Sequence, residues 1–277
     1  KAADMKEMTA IYNKCFKINK ETGEKIYLNP ELSKDELTFL YEIDYPIEGF
    51  GYDKDPRVAE LRSKRNAYED APIVFECEPQ EIAWSESEIN ENTKAYVGSL
   101  FKGIFDKLSH IEHIYTSFPE GKIRQGELEI GGKTAQELEQ ELKEKGIKIS
   151  PYAEDMLHSP DFTTLPNPES IRTVRLKVGS LACQSDNPTT DEVFARVYEL
   201  GLEPCPAEVG PHQRLKDDDQ PMNDWYRIAM KQIADRDGFP DVFLLGHDAS
   251  GLWFDDSWAR PTDLCFLAMS WCFAFRK

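Results

Sequence analysis

The sequence predicts an α+β protein: a mixed helical N-terminal and central part, then a small antiparallel β-rich C-terminal domain. Three observations carry this expectation. Apolar residues recur at helical spacing through the first half. After residue 170 the apolar runs shorten, alternate with polar residues and are punctuated by turns. A polar stretch with two prolines, 163–170, separates the two regimes and reads as a linker. The expected organisation is therefore a mixed α/β region over 1–165, divisible into 1–80 and 84–165, and a β-rich domain with one main helix over 171–277.

The elements follow in order. Met5, Met8, Ile11, Tyr12 and Cys15 share one face of a helix over 3–16. Ser33-x-x-Glu36 is a capping box ahead of Leu37, Phe39 and Leu40. Gly, Pro and Asp make 45–55 a loop. Residues 56–68 read as a charged helix and 73–77 as a strand. In 92–108, Val97, Leu100, Phe101, Ile104, Phe105 and Leu108 fall at helical spacing, which predicts an amphipathic helix despite Gly98 and Gly103. A strand is expected over 113–118 and another over 128–130. The latter enters Gly131-Gly-Lys-Thr134, where Thr134-x-x-Glu137 caps a helix that Gly146 ends. A strand over 147–149 precedes Pro151, which suits the first turn of a helix to His158. Val174, Leu176 and Val178 alternate with basic residues in a half-buried strand, and Thr189-x-x-Glu192 opens a helix ending at Gly201. Strands over 227–233, 242–246, 251–254 and 264–275, joined by turns at 235–238 and 247–251, complete the domain.

Composition narrows the function classes. The 277 residues carry 33 Lys and Arg against 51 Asp and Glu, a net charge of −18. That excess argues against general nucleic-acid binding, which needs clustered cations. Arg172, Arg175 and Lys177 nevertheless form one basic stripe suited to a local anionic contact. With 15 Phe, 11 Tyr and 5 Trp the chain is too aromatic for an acidic disordered tail. No apolar run approaches a membrane span. The chain opens on Lys1, which reads as a trimmed or fragment terminus, without the leader of a secreted protein. Six cysteines are scattered with no CxxC pair, so neither a zinc ribbon nor a disulfide framework is expected. A cytoplasmic protein without a cofactor is the simplest expectation.

Several strings resemble a family of uncharacterised bacterial proteins. They are Glu112-His-Ile-Tyr-Thr-Ser-Phe-Pro-Glu-Gly121, Gly131-Gly-Lys-Thr134, Tyr152-Ala-Glu-Asp-Met-Leu157, Val174-Arg-Leu-Lys-Val178, Cys205-Pro-Ala-Glu-Val-Gly-Pro-His212, Met230-Lys-Gln-Ile-Ala-Asp235 and Gly251-Leu-Trp253. The resemblance covers roughly residues 90–277. It implies that the central and C-terminal parts travel together, and it brings no activity and no catalytic residue.

Each candidate site also has a plainer reading. Gly131-Gly-Lys-Thr134 looks like a phosphate loop, but Glu127 occupies the position where that motif needs glycine, which favours a capped turn. Asp106, His110 and His113 have metal-ligand spacing on a continuous helix, yet lack an evident fourth ligand. Cys205 with His212 or His247, oriented by Asp248 or Asp255, has the residue types of a nucleophilic site. Against it, Cys205 follows a helix C-terminus and sits among Pro204, Pro206 and Pro211, which reads as a structural loop. Glu203, Glu208 and Arg214 could form an ion-pair network there. Asp235-x-Asp237-Gly238 echoes a calcium loop but reads as a tight turn, and Lys216-Asp-Asp-Asp219 as a solvated loop.

The aromatic residues are the most informative. Trp225, Trp253, Trp258 and Trp271 all lie in the C-terminal domain. Adjacent residues on a strand face opposite sides, so one of Trp253 and Phe254 could be outward, although an aromatic core is the plainer reading. An outward Trp beside Asp255, Asp256, Arg260 and His247 would make a platform for a peptide or sugar. The leading expectation is a non-enzymatic interaction module that binds a protein or small-molecule ligand through Trp253, Trp258, Asp255 and Arg260. The alternatives are a small hydrolase or transferase using Cys205 with His212 or His247, and a metal-dependent enzyme using His110 and His113.

Overall fold

The computed structural model describes residues 2–47 and 54–276. Most of the loop expected over 45–55 (48–53) therefore lies outside the described residues. The chain divides into two compact units that interleave in sequence: Lys1–Gly98 with Ile111–Lys122, and Ser99–His110 with Ile123–Lys277. This division replaces the boundary expected at 163–170. Residues 169–177 form a strand hydrogen-bonded along 124–130, so the proline-rich stretch is a connection inside the second unit. Proline and polar residues mark a surface turn as readily as a linker.

The first unit begins with α1 (Ala2–Cys15), the hairpin β1 (Phe16–Ile18) and β2 (Lys25–Tyr27), and α2 (Lys34–Leu40). α1 buries Met8, Ile11 and Cys15, the face expected from their spacing. Ser33 and Glu36 form the capping box of α2. Next come α3 (Pro56–Arg62) and α4 (Ala67–Phe75). The strand expected at 73–77 is instead the end of α4, where Ala71, Val74 and Phe75 are buried at helical spacing. β3 (Ile82–Ala83), β4 (Ala95–Val97) and β5 (His113–Tyr115) make a small parallel sheet.

The largest departure is at 92–108. No long helix forms: Ala95–Val97 is β4, and only α5 (Ile104–Lys107) is helical. A Cβ on Gly98 would meet Tyr96 Oη at 2.8 Å, and Gly103 has φ +74°. Glycine is the residue that tolerates both conditions. Val97, Leu100, Ile104, Phe105 and Leu108 are all buried as expected, but from three different local structures. A buried strand, a turn and one helical turn have reproduced a helical spacing.

The second unit is built on one mixed sheet. Its strands are β6 (Arg124–Ile130), β7 (Lys148–Ile149), β8 (Glu169–Lys177), β9 (Leu202–Glu203), β10 (Trp225–Ile228), β11 (Ile233–Ala234), β12 (Pro240–Asp248), β13 (Gly251–Trp258) and β14 (Ser270–Phe275). The order is β6-β8-β14-β10-β12-β13-β7, with β11 on β12 and β9 on β14. The sheet is not purely antiparallel as expected, because β10 runs parallel to β14 and β13 parallel to β7. The hairpin β12–β13 inserts between β10 and β14 in sequence, so β14 returns along β10 in the same direction.

Helices α6 (Ala135–Glu144), α7 (Pro151–His158), α8 (Thr190–Leu200) and α9 (Val209–Lys216) belong to this unit. Thr134 and Thr189 both close capping boxes with the residue three positions on. α8 covers one sheet face, with Phe194 5.7 Å from Trp271 and 6.4 Å from Phe273, centroid to centroid. α9 lies on the opposite face, where a Cβ at Gly210 would stand 2.6 Å from the Phe243 ring. No helix among the described residues is long and apolar enough to cross a membrane.

Candidate functional site

The cysteine–histidine site is not assembled. Cys205 is buried, and its Sγ lies 3.5 Å from the carbonyl of Cys272, to which it donates. Burial pushes this thiol well above its ordinary range, which disfavours the nucleophilic thiolate. His212 sits on α9, its Nε2 sealed from water without a hydrogen-bond partner and 3.8 Å from Glu208 Oε2. Burial holds its pKa at about 4. His247 Nδ1 lies 2.5 Å from the carbonyl of Gln220. Neither imidazole is a hydrogen-bond partner of the thiol. The loop expected after Cys205 is largely the helix α9, and its proline Pro211 falls in the first turn.

The expected metal ligands form no metal site among the described residues. Asp106 and His110 belong to the second unit and His113 to the first, where its ring stacks on Phe75 at 5.1 Å. No group of three or more His, Cys, Asp or Glu among the described residues is placed to hold a metal ion. Asp235 Oδ1 accepts the N–H of Asp237 at 2.9 Å and of Phe239 at 2.7 Å, the self-bonding of a tight turn.

The glycine loop does receive an anion, but from the chain itself. Gly131 N–H donates to Glu208 Oε2 at 2.9 Å, and Leu165 N–H donates to Oε1 at 3.0 Å. Glu208 is thereby a buried strut between two loops, not part of an ion-pair network. Arg214, also buried, is spent on the carbonyls of Asp217 and Gly246 and the side chain of Gln220. Asp217 accepts the Tyr226 hydroxyl at 2.6 Å, so the acidic run at 217–219 is anchored at its first member. Of the basic stripe, Arg175 is paired with Asp224, with Nη1 2.6 Å from Oδ2, and Arg172 lies over Phe275 at 4.2 Å.

The tryptophans divide as strand alternation requires. Phe254 is buried on the α9 side, and Trp253 faces the other way, half-buried, with Lys148 Nζ 5.1 Å over its ring. Trp225, Gly246 and Trp253 stand side by side on β10, β12 and β13, and the Trp225 ring leaves no room for a Cβ at Gly246. Trp271 is core. Trp258, at the end of β13, is 67% exposed. Phe239 lies 6.5 Å from it, centroid to centroid. The Arg260 guanidinium lies 6.0 Å from the Trp258 ring and 4.9 Å from that of Phe239.

Trp258 also borders an open groove of about 470 Å³, lined by Arg227, Asp256, Ser257, Trp258, Asp263 and Leu264. Leu264 and Phe266, on the loop before β14, are exposed large apolar residues as well. Beside the groove, Asp241 is fully buried and neither of its carboxylate oxygens has a hydrogen-bond partner. Burial, reinforced by the Asp256 carboxylate, pushes Asp241 up to about 7. Asp256 itself accepts the Ser150 hydroxyl at 2.8 Å. The first unit has its own groove, about 750 Å³, beside Cys77. Glu69, Glu76, Glu78 and Glu81 line it, and its Lys94 is held by Glu81 at 2.8 Å.

The sequence indicated Trp258 and Arg260, and that Trp253 and Phe254 face opposite sides. It did not indicate Arg227, Phe239, Asp263, Leu264 or the Asp241–Asp256 pair. Arg227 left one trace, a cation flanked by Tyr226 and Ile228 in an apolar strand. Comparison with protein-family models, curated proteins and solved structures found no match. The functional reading therefore rests on the geometry.

Proposed function

We propose that the second unit is a non-enzymatic binding module and that the groove bordered by Trp258 receives an apolar segment of a partner protein. The observation that carries this is a large aromatic ring left 67% exposed at a strand end, over a groove that Leu264 also lines. A scattered exposed apolar residue needs no explanation; a contiguous patch with a groove marks an interaction surface. Phe239 and Arg260 brace the Trp258 ring, which limits the ordering entropy a partner must overcome. Leu264 beside the ring favours an apolar side chain over a sugar face.

The test is fluorine NMR of the full chain labelled with 5-fluorotryptophan. N-acetyl-phenylalanine amide and N-acetyl-leucine amide should shift the Trp258 resonance saturably, and methyl glycosides should not. Saturable binding of the glycosides alone, or a Trp258 resonance inert to every probe, would overturn the reading.

A further inference from the structure

We propose that the segment bound in this groove presents a carboxylate to Arg227, alongside an apolar side chain; this rests on the groove being the binding site. Arg227 projects from β10 and is half-buried, with its Nε donating to Ser257 Oγ at 3.0 Å and its guanidinium 5.6 Å from the Trp271 ring centroid. No carboxylate among the described residues lies within ion-pair distance of it. Neither Nη group has an acceptor among those residues, and neither is sealed from solvent.

An arginine does not shed its proton to escape burial. Withdrawing the charge from water without a counter-ion is costly, and this chain has 18 more acids than bases with which to supply one. It does so for Arg57, Arg62, Arg65 and Arg175, each of which holds a carboxylate, whereas the buried Arg214 is held by carbonyls and Gln220 and does not line this groove. Arg227 is instead left with a planar donor fork pointing at a groove. That fork matches an oxyanion in bidentate geometry.

The groove's other charges choose among oxyanions. Asp256 and Asp263 line it too. A phosphate, with a charge of about −1.5 to −2, is repelled by both acids more strongly than a singly charged carboxylate. Trp258 and Leu264 border the same space, so the carboxylate arrives beside an apolar side chain, as at the C-terminal residue of a peptide.

The experiment compares N-acetyl-phenylalanine with its amide on the 5-fluorotryptophan-labelled full chain at neutral pH, reading Trp258 for binding and Trp271 for the integrity of the Arg227 surroundings. The acid should bind about tenfold more tightly than the amide, the gain of one charge-assisted bidentate contact. Arg227→Met, which keeps the apolar stem, should bring the ratio to about one by weakening the acid more than the amide. Arg227→Lys keeps the charge without the fork and should give an intermediate ratio, which preserves the test if the Met variant misfolds. Equal affinities in the native chain, or a preference that survives both substitutions, would sink the carboxylate assignment while leaving the groove reading intact. Tighter binding of phenyl phosphate would replace carboxylate by phosphate and also overturn it. A Trp258 resonance that responds to neither acid nor amide would remove the groove reading itself.

Discussion

Arg65 in the first unit and Arg227 in the second are both withdrawn from water and are satisfied in opposite ways. Arg65 grips both oxygens of Asp70, at 2.7 and 2.6 Å, and the Tyr41 hydroxyl donates to the same carboxylate at 2.6 Å. Arg227 has a serine hydroxyl and an aromatic ring. The first arrangement is closed: every partner comes from the chain and removing one strands the others. The second is open, because the fork is held by Ser257 and no carboxylate among the described residues lies on it. A buried charge with its partner serves the fold, and one without a partner at a groove is available to a ligand.

Removing a partner should separate the two cases most strongly. Asp70→Ala leaves Arg65 and Tyr41 unpaired in the first unit's core and should cost about 3 kcal/mol in urea unfolding. Arg227→Met breaks no ion pair and should cost less than about 1 kcal/mol. A loss at Arg227 as large as that at Asp70 would mean that Arg227 serves the fold, not a ligand.

A smaller effect concerns Asp241, the other unsatisfied charge near the groove. Its folded pKa of about 7 lies above the ordinary 3.8, so its contribution to stability is fully present below about pH 4 and is lost as pH rises through 7. His212 acts in the opposite sense. Its pKa of about 4 lies below the ordinary 6.5, so its contribution holds above 6.5 and is lost as pH falls through 4. Raising pH from about 6.5 to 8 therefore isolates Asp241 from His212. The urea midpoint of the native chain should fall across that window more than that of Asp241→Asn, whose amide keeps the size of the acid and cannot ionise. Parallel falls in both proteins would show that Asp241 ionises normally.

The smallest effect should be at the rim. Trp258→Ala removes a ring that is 67% exposed and should change stability by no more than about 0.5 kcal/mol. Its binding phenotype should be complete all the same. A large stability loss would place the ring in the fold and weaken the groove reading.

Local rules were legible in the residues. The capping boxes at Ser33, Thr134 and Thr189 formed where they were expected, because each depends on residues three positions apart. The opposite facing of Trp253 and Phe254 followed from the strand repeat alone. The helix over 92–108 was misread because burial, not helicity, sets where apolar residues recur, and here the burial came from β4 and α5 together. Cys205 and His212 looked like a site because their types suit one. Each proved to be sunk in packing that removes its chemistry, the thiol driven up and the imidazole driven down.

By itself, then, the sequence determined the α+β class, the caps, most strands of the second unit and the opposite facing of Trp253 and Phe254. All of these are set by neighbours within a few positions along the chain. Only the tertiary structure decided which charges find partners. Glu208 meets Gly131 and Leu165 across 77 and 43 residues, and Arg227 meets no acid among the described residues. Electrostatic satisfaction is a property of distance in space, so composition could report an excess of acids but not the one cation they leave unanswered at the groove.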